Sequence, residues 1–200
     1  MLGSIAFPER KALSPRKQQI LDTAQQLFNR QGFVSASMRD LAKELNIKPP
    51  SLYSHYESKN EILWEIAMRC AFEFFDHVLP HATGDGSPEI RLKKMIEAHV
   101  EVIIKNIDAS AIFFHEWQQL EGERKEEYAG LIQQYESTFV KVVKEGMASG
   151  IFKEIPAKFT VSTILSAINW IQLWYKPEGK MRVEDISKTF QAFILGGLLA

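Results

Sequence analysis

The chain is predicted to be all-α, with a small N-terminal helical unit followed by a larger helical one. Apolar residues recur at helical spacing, as in Ile20, Leu21, Ala24, Leu27 and Phe28, and again in Ile62, Leu63, Ile66, Ala67, Cys70, Ala71 and Phe74. Helix start and stop chemistry brackets such stretches: Ser14-Pro15 opens the first and Gly32 closes it. No segment has the apolar–polar alternation of a half-buried strand, and there is no internal repeat.

Residues 1–13, MLGSIAFPERKAL, lack sustained periodicity and read as a flexible arm, with Arg10 and Lys11 able to reach a neighbouring phosphate. The first helix follows, and Phe33 supplies the hydrophobic contact after its glycine cap. Ser37 with Asp40 three residues on forms a capping box, and Leu41 and Leu45 give the next helix its apolar face. Asn46 suits a left-handed turn and Ile47 plugs the corner. A helix restarts at Pro49-Pro50, in a first turn where the missing amide protons have no intrahelical partner. Leu52 and Tyr56 make its inner side, leaving Lys48, Pro50, Ser51, Tyr53, Ser54 and His55 outside. A short helix with a packed back and a hydrogen-bonding front suits the DNA major groove. An ordinary helical hairpin with a solvated polar face fits the same stretch, so the rest of the chain has to separate the two.

The apolar fraction of 46% and charged fraction of 24% are those of a globular protein. No run of about 18 apolar residues is present, so no membrane span is expected. An apolar segment behind N-terminal basic residues is also missing, so export is not expected. The single cysteine, Cys70, excludes an internal disulfide framework and fits a reducing cytoplasm. Net charge is −1, but residues 1–60 hold 9 Lys+Arg against 5 Asp+Glu, and residues 61–200 hold 15 against 20. The basic character therefore concentrates around the helical hairpin, as a phosphate-binding module requires.

The stretch KQQILDTAQQLFNRQGFVSASMRDLAKELNIKPPSLYSHYESKNEIL resembles, without gaps, the N-terminal domain of TetR-type transcriptional repressors. ILDTAQQLF, the Gly32-Phe33 pair, MRDLA and LYSHYESK carry the likeness. The resemblance implies an arm at 1–13, a helix-turn-helix DNA-binding domain at 14–60, and a helical effector-binding and dimerisation domain at 61–200. It makes residues 49–56 the recognition helix. Ser37 and Arg39 would touch the DNA backbone or nearby bases, and Tyr53, His55 and Lys59 would grip phosphates. Lys48, Pro49, Pro50, Ser51 and Ser54 would face the groove. Many relatives have Ser or Thr at the position of Lys48 and Gly or Thr near Pro50, and the double proline weakens any operator carried over by analogy.

A long helix from Asn60 to about His77 would link the two domains and serve as a lever between effector and operator. Pro80 and the loop His81–Pro88 end it; further helices are expected near 88–106, 109–120, 123–149, 157–176 and 183–199. Gly150, Pro156 and Pro177-Glu178-Gly179 mark the later breaks. Asn169-Trp170 with Leu173-Trp174-Tyr175-Lys176-Pro177, and GMASGIFKEIP before it, resemble segments of the subgroup that governs fatty-acid or acyl-thioester catabolism.

Enzyme signatures are absent: there is no GxSxG elbow, phosphate-binding GxxxxGK[ST] loop, HExxH pair or GxGxxG turn. Glu73, His77 and His81 share a helical spacing, but Pro80 interrupts that face and no metal site is expected; no cofactor is implied. Cys70 lies on an apolar stripe and reads as an inert buried thiol. The aromatic residues Phe72, Phe75, Phe113, Phe114, Trp117, Tyr135, Phe139 and Trp170 mostly suit a packed core. An effector cavity needs apolar walls and a few polar groups, which His99, Trp117, Tyr135, Asn169 and Trp170 can supply. Arg91, Lys93 and Lys94 would be a solvated helix face or, less readily, a contact for a coenzyme A phosphate.

The expected function is a homodimeric, ligand-responsive repressor that binds a palindromic double-stranded operator and is released by a small hydrophobic effector, a fatty acid or acyl-coenzyme A. The alternatives are a repressor responding to aromatic drugs and a helical interaction protein that does not bind DNA. Pairing is expected through the last two helices, by Ile164, Ile168 and Ile171 with Phe190, Phe193 and Ile194, because one recognition helix reads too few bases alone.

Overall fold

The computed structural model describes residues 12–200 and, at Phe113, the backbone alone. Most of the expected arm, including Arg10 and Lys11, lies outside the described residues. The helices are α1 (Pro15–Gln31), α2 (Met38–Glu44), α3 (Pro49–Tyr53), α4 (Lys59–Val78), α5 (Pro88–Lys105), α6 (Ile107–His115), α7 (Gly122–Ala148), α8 (Ala157–Asn169), α9 (Ile171–Trp174) and α10 (Val183–Leu198). Short 3-10 turns follow α4 at Leu79–Ala82 and α6 at Glu116–Gln119. Among the described residues the only extended pairing is an isolated antiparallel bridge between Phe152 and Leu199, so the all-α expectation holds.

Contacts divide the chain into two compact units. The first holds the described residues up to Met68 together with Ala111–Leu131. The second holds Arg69–Ser110 and Ile132–Ala200.

In the first unit, α1 starts where Ser14 accepts a hydrogen bond from the Lys17 amide and ends at Gly32, whose positive φ of 78° a side chain would resist. Its apolar stripe, Ile20, Leu21, Ala24, Leu27 and Phe28, is buried. Leu41 and Leu45 of the next segment are buried too, as are Leu52 and Tyr56. Phe28 and Phe33 meet edge to face at 5.2 Å. In the segment 111–131, Tyr128 is buried between Trp64 (6.5 Å) and Trp117 (5.6 Å).

In the second unit, α5 is the central helix and packs against α8, α9 and α10. It buries Leu92, Met95, Ile96, His99, Val100 and Ile103. α7 ends in a Schellman cap: Gly150 has φ 70°, its amide donates to Met147 O, and the Ile151 amide donates to Gly146 O. Phe152 then folds back so closely over Gly146 that a β-carbon there would lie 2.1 Å from its ring, a space only glycine leaves.

Two expected helices are divided. The one expected at 109–120 begins at Ile107 and tightens to a 3-10 turn after His115. The one at 157–176 is interrupted at Trp170, where the ladder shortens as Leu173 donates to the Trp170 carbonyl.

Candidate nucleic-acid interface and buried polar chain

The hairpin α2–turn–α3 is built almost wholly from local interactions. The Ser37 hydroxyl accepts from the Asp40 amide (3.2 Å), and the Asp40 carboxylate accepts from the Ser37 amide (3.1 Å) and hydroxyl (2.5 Å). These bonds hold the Asp40 carboxyl below its ordinary pKa, the Ser37 hydroxyl contributing most. At the far end Asn46 is left-handed, with φ 52°, and the Ile47 amide donates to Ala42 O while the Asn46 amide donates to Lys43 O. That is again a Schellman cap, and it sets the direction in which α3 departs.

α3 carries prolines at its first two positions and no side-chain cap at Lys48. Leu52 is fully buried and fastens its back. Tyr56 follows, buried, with the Lys17 ammonium over its ring at 4.7 Å. Lys48, Pro49, Pro50, Ser51, Tyr53 and Ser54 are exposed, His55 is half-buried, and Ser37 and Arg39 are exposed on the edge of α2. The expected contact residues from 37 to 55 thus lie on one short stretch of surface-accessible chain.

Lys59 departs from this pattern. Its ammonium donates to three carbonyls of the loop between α1 and α2, those of Phe33 (2.6 Å), Val34 (3.2 Å) and Ala36 (2.7 Å). It also sits 4.3 Å from the centre of the Phe33 ring. All three ammonium protons are used inside the unit, so the phosphate grip expected for Lys59 is corrected to a structural staple. Partial burial lowers its pKa, opposed by the nearby Glu116 carboxylate. Glu116 carries no sequence signal for this role: its carboxylate also accepts from the Phe33 amide at 3.4 Å.

The residues singled out as effector contacts do not all meet. His99, Tyr135 and Asn169 do, joining α5, α7 and α8. His99 Nδ1 lies 2.6 Å from the Tyr135 hydroxyl and Nε2 lies 2.8 Å from Asn169 Oδ1. An amide oxygen can only accept, so Nε2 carries the ring proton and Nδ1 accepts from Tyr135. Phe74 (4.8 Å) and Phe139 (6.3 Å) wall the imidazole, and Phe75 stands 5.6 Å from the Tyr135 ring. Burial pushes the His99 pKa down to about 4, the Asn169 bond opposing, and raises that of Tyr135. Trp117 lies elsewhere, against Tyr128 in the first unit, and Trp170 is 62% exposed.

Arg91 donates to Ala82 O (2.7 Å) and pairs with Glu145, and Lys93 pairs with Glu89 (2.6 Å). His77 Nδ1 donates to the Glu73 carbonyl, while His81 falls on the 3-10 turn beyond the helix. No group of three or more His, Cys, Asp or Glu suited to a metal occurs among the described residues. Cys70 is buried in apolar surroundings that raise its thiol pKa, despite a hydrogen bond with Ser110. No helix among the described residues is long and apolar enough to cross a membrane.

Comparison with known proteins matches residues 20–66 to the tetR family of bacterial regulatory proteins and residues 85–198 to the tetracyclin repressor-like C-terminal domain. The chain belongs to the TetR family. It is 25% identical over 191 residues, 92% of each chain, to the transcriptional repressor KstR2 of Rhodococcus jostii. The solved structure of the ketosteroid regulator KstR2 of Mycobacterium tuberculosis superposes with a TM-score of 0.87 at 23% identity, covering 98% of this chain and 100% of that one. AibR, solved with isovaleryl coenzyme A and operator DNA, superposes with a TM-score of 0.81 at 22% identity over 89% and 97%.

In TetR-family terms, α2 and α3 form the helix-turn-helix of a transcriptional repressor. One surface was only half legible. Ile164, Ile168 and Ile171, expected to pair two protomers, are buried in their own unit. Ile168 faces inward on α8 with Val161 and Leu165, and Ile171 is buried on α9, whereas Ile164 also borders the outer apolar side of α8, where Phe159 stands out at 73% exposure. Phe193 of α10 is 81% exposed, with Phe190 and Ile194 half-buried. Between them runs an apolar groove of about 740 Å³ lined by Phe159, Thr163, Ile164, Phe193 and Gly197. β-carbons at Gly196 and Gly197 would meet nothing within 4 Å, so the absence of side chains there serves no packing inside the chain.

Proposed function

We propose that this TetR-family repressor binds a palindromic operator as a homodimer and leaves it when a small hydrophobic acyl compound is bound. The observation that carries the DNA reading is α3: a helix whose back is anchored by Leu52 and whose exposed face offers Lys48, Pro50, Ser51, Tyr53 and Ser54. Tyr53 and His55 would hold phosphates, with Ser37 and Arg39 on the adjoining backbone and Pro49 beside the groove-facing set. The exposed apolar groove of α8 and α10 supports pairing, since a face of that kind is costly to leave in water. Phe159 and Phe193, with Ile164 and Ile194, form that interface in place of the inward-facing Ile168 and Ile171. Phe193→Asp is expected to give a monomer by analytical ultracentrifugation and to abolish a specific gel shift, leaving only weak, salt-sensitive binding. A dimeric Phe193→Asp protein that still shifts the operator would refute pairing through this face.

The effector site we assign to the His99–Tyr135–Asn169 chain and its wall of Phe74, Phe75 and Phe139. The neutral imidazole offers one N–H to an acceptor, as it does to Asn169 Oδ1. A thioester carbonyl suits it, and AibR with isovaleryl coenzyme A supports that class. An effector carbonyl that accepts the Nε2–H hydrogen bond releases Asn169, the last residue of α8, the helix that carries the pairing face. Release of the protein–operator complex by acyl-coenzyme A, varying with chain length at micromolar concentration, is the expected result. Release by planar cationic dyes and by no acyl chain would favour the drug-responsive alternative.

A further inference from the structure

The outward face of α3 is poor in free hydrogen-bond donors at its centre. Taking about 100° per residue from the buried Leu52, Pro50 lies about 160° away and Ser54 about 200° away, so these two point most directly outward. Ser51 and Tyr53 flank them at about 100° on either side, and Pro49, at about 60°, lies nearer the packed side. Pro49 and Pro50 have no amide protons, and the Ser51 amide already donates to Lys48 O at 2.9 Å. The start of α3 therefore has no amide from these three residues to give a phosphate. The Ser54 hydroxyl donates to Ser51 O at 2.8 Å, which occupies its proton as well. What remains at the middle of the face is the exposed pyrrolidine ring of Pro50, beside a Ser54 oxygen that can only accept.

In the major groove the apolar feature of the standard bases is the C5-methyl of thymine. We infer that Pro50 reads a thymine methyl group in each operator half-site. This assignment rests on the reading that α3 enters the major groove. A ring carbon packed on the methyl shields both from water, whereas any other base edge would be left with a donor or acceptor desolvated against an apolar ring. Ser51, Lys48 and Tyr53 then supply the polar contacts around an apolar centre.

The experiment is a uracil scan. Sequences bound by the full-length protein are selected from random DNA, and each thymine of the resulting half-site is replaced by uracil, which lacks only the methyl. At one thymine per half-site the substitution is expected to weaken binding about fourfold, the effect of one buried methyl, and elsewhere it should change little. In Pro50→Ser the same uracil should cost nothing. Affinity for random DNA and the melting temperature, both unchanged, would show that this variant is folded. Tolerance of uracil at every thymine by the unmodified protein would overturn the assignment without any variant, and so would an equal loss in Pro50→Ser. A selection that enriches no sequence would overturn the operator reading itself, and the assignment with it.

Discussion

Lys59→Met is expected to lower the stability of the protein by about 2–4 kcal/mol, the effect of leaving three carbonyls without their charge-assisted donor. Methionine keeps the aliphatic stem against Phe33, so the loss isolates the ammonium. In a chain of this size that corresponds to a fall in melting temperature of roughly 5–10 °C. The loop that Lys59 holds, Phe33 to Ala36, leads directly into the capping box of α2. Operator affinity should therefore fall through misplacement of α2 and α3, with the slope of affinity against salt unaltered. A phosphate-gripping lysine would behave in the opposite way. It would leave the melting temperature alone and reduce the salt slope by about one. Finding that second pattern would refute the staple.

Acidification is expected to destabilise the second unit through His99, and His99→Gln should remove most of that sensitivity. The folded pKa of about 4 lies below the ordinary 6.5, mainly because burial disfavours the imidazolium. Between those values the unfolded chain binds the proton and the folded one does not. Stability is thus fully present above about pH 6.5 and is lost as pH falls towards 4, by about 3 kcal/mol across the window. Urea unfolding at pH 7 and pH 4.5 reads this directly, and glutamine retains a donor and an acceptor without titrating. Equal acid sensitivity in the two proteins would mean that His99 is not the group responsible. The same variant should still bind operator at pH 7 while losing its response to the effector.

What could be read in the sequence was local. The Ser14 and Ser37 caps, the Gly32 and Asn46 turns, the prolines at the start of α3 and the buried stripe of α1 all formed as expected. Each depends on backbone preferences or on partners within about five residues, which a linear pattern records. The helix-turn-helix and the all-α class follow from them. Tertiary structure decided where the long side chains spend their polar groups. Lys59 reaches the carbonyl of Ala36, 23 residues earlier, and Glu116 reaches the Phe33 amide across 83. Neither distance leaves a periodic trace, so Lys59 reads as one more basic residue near a DNA-binding helix until its three carbonyls are seen. His99, Tyr135 and Asn169 could each be picked out as polar residues among apolar neighbours, but separations of 36 and 70 residues hide that they form one chain. In α8, two apolar sides on one helix satisfy the same sequence pattern. Which side is inward is settled by how α8 packs on α5, and that packing buries Ile164 and Ile168 and leaves Phe159 exposed.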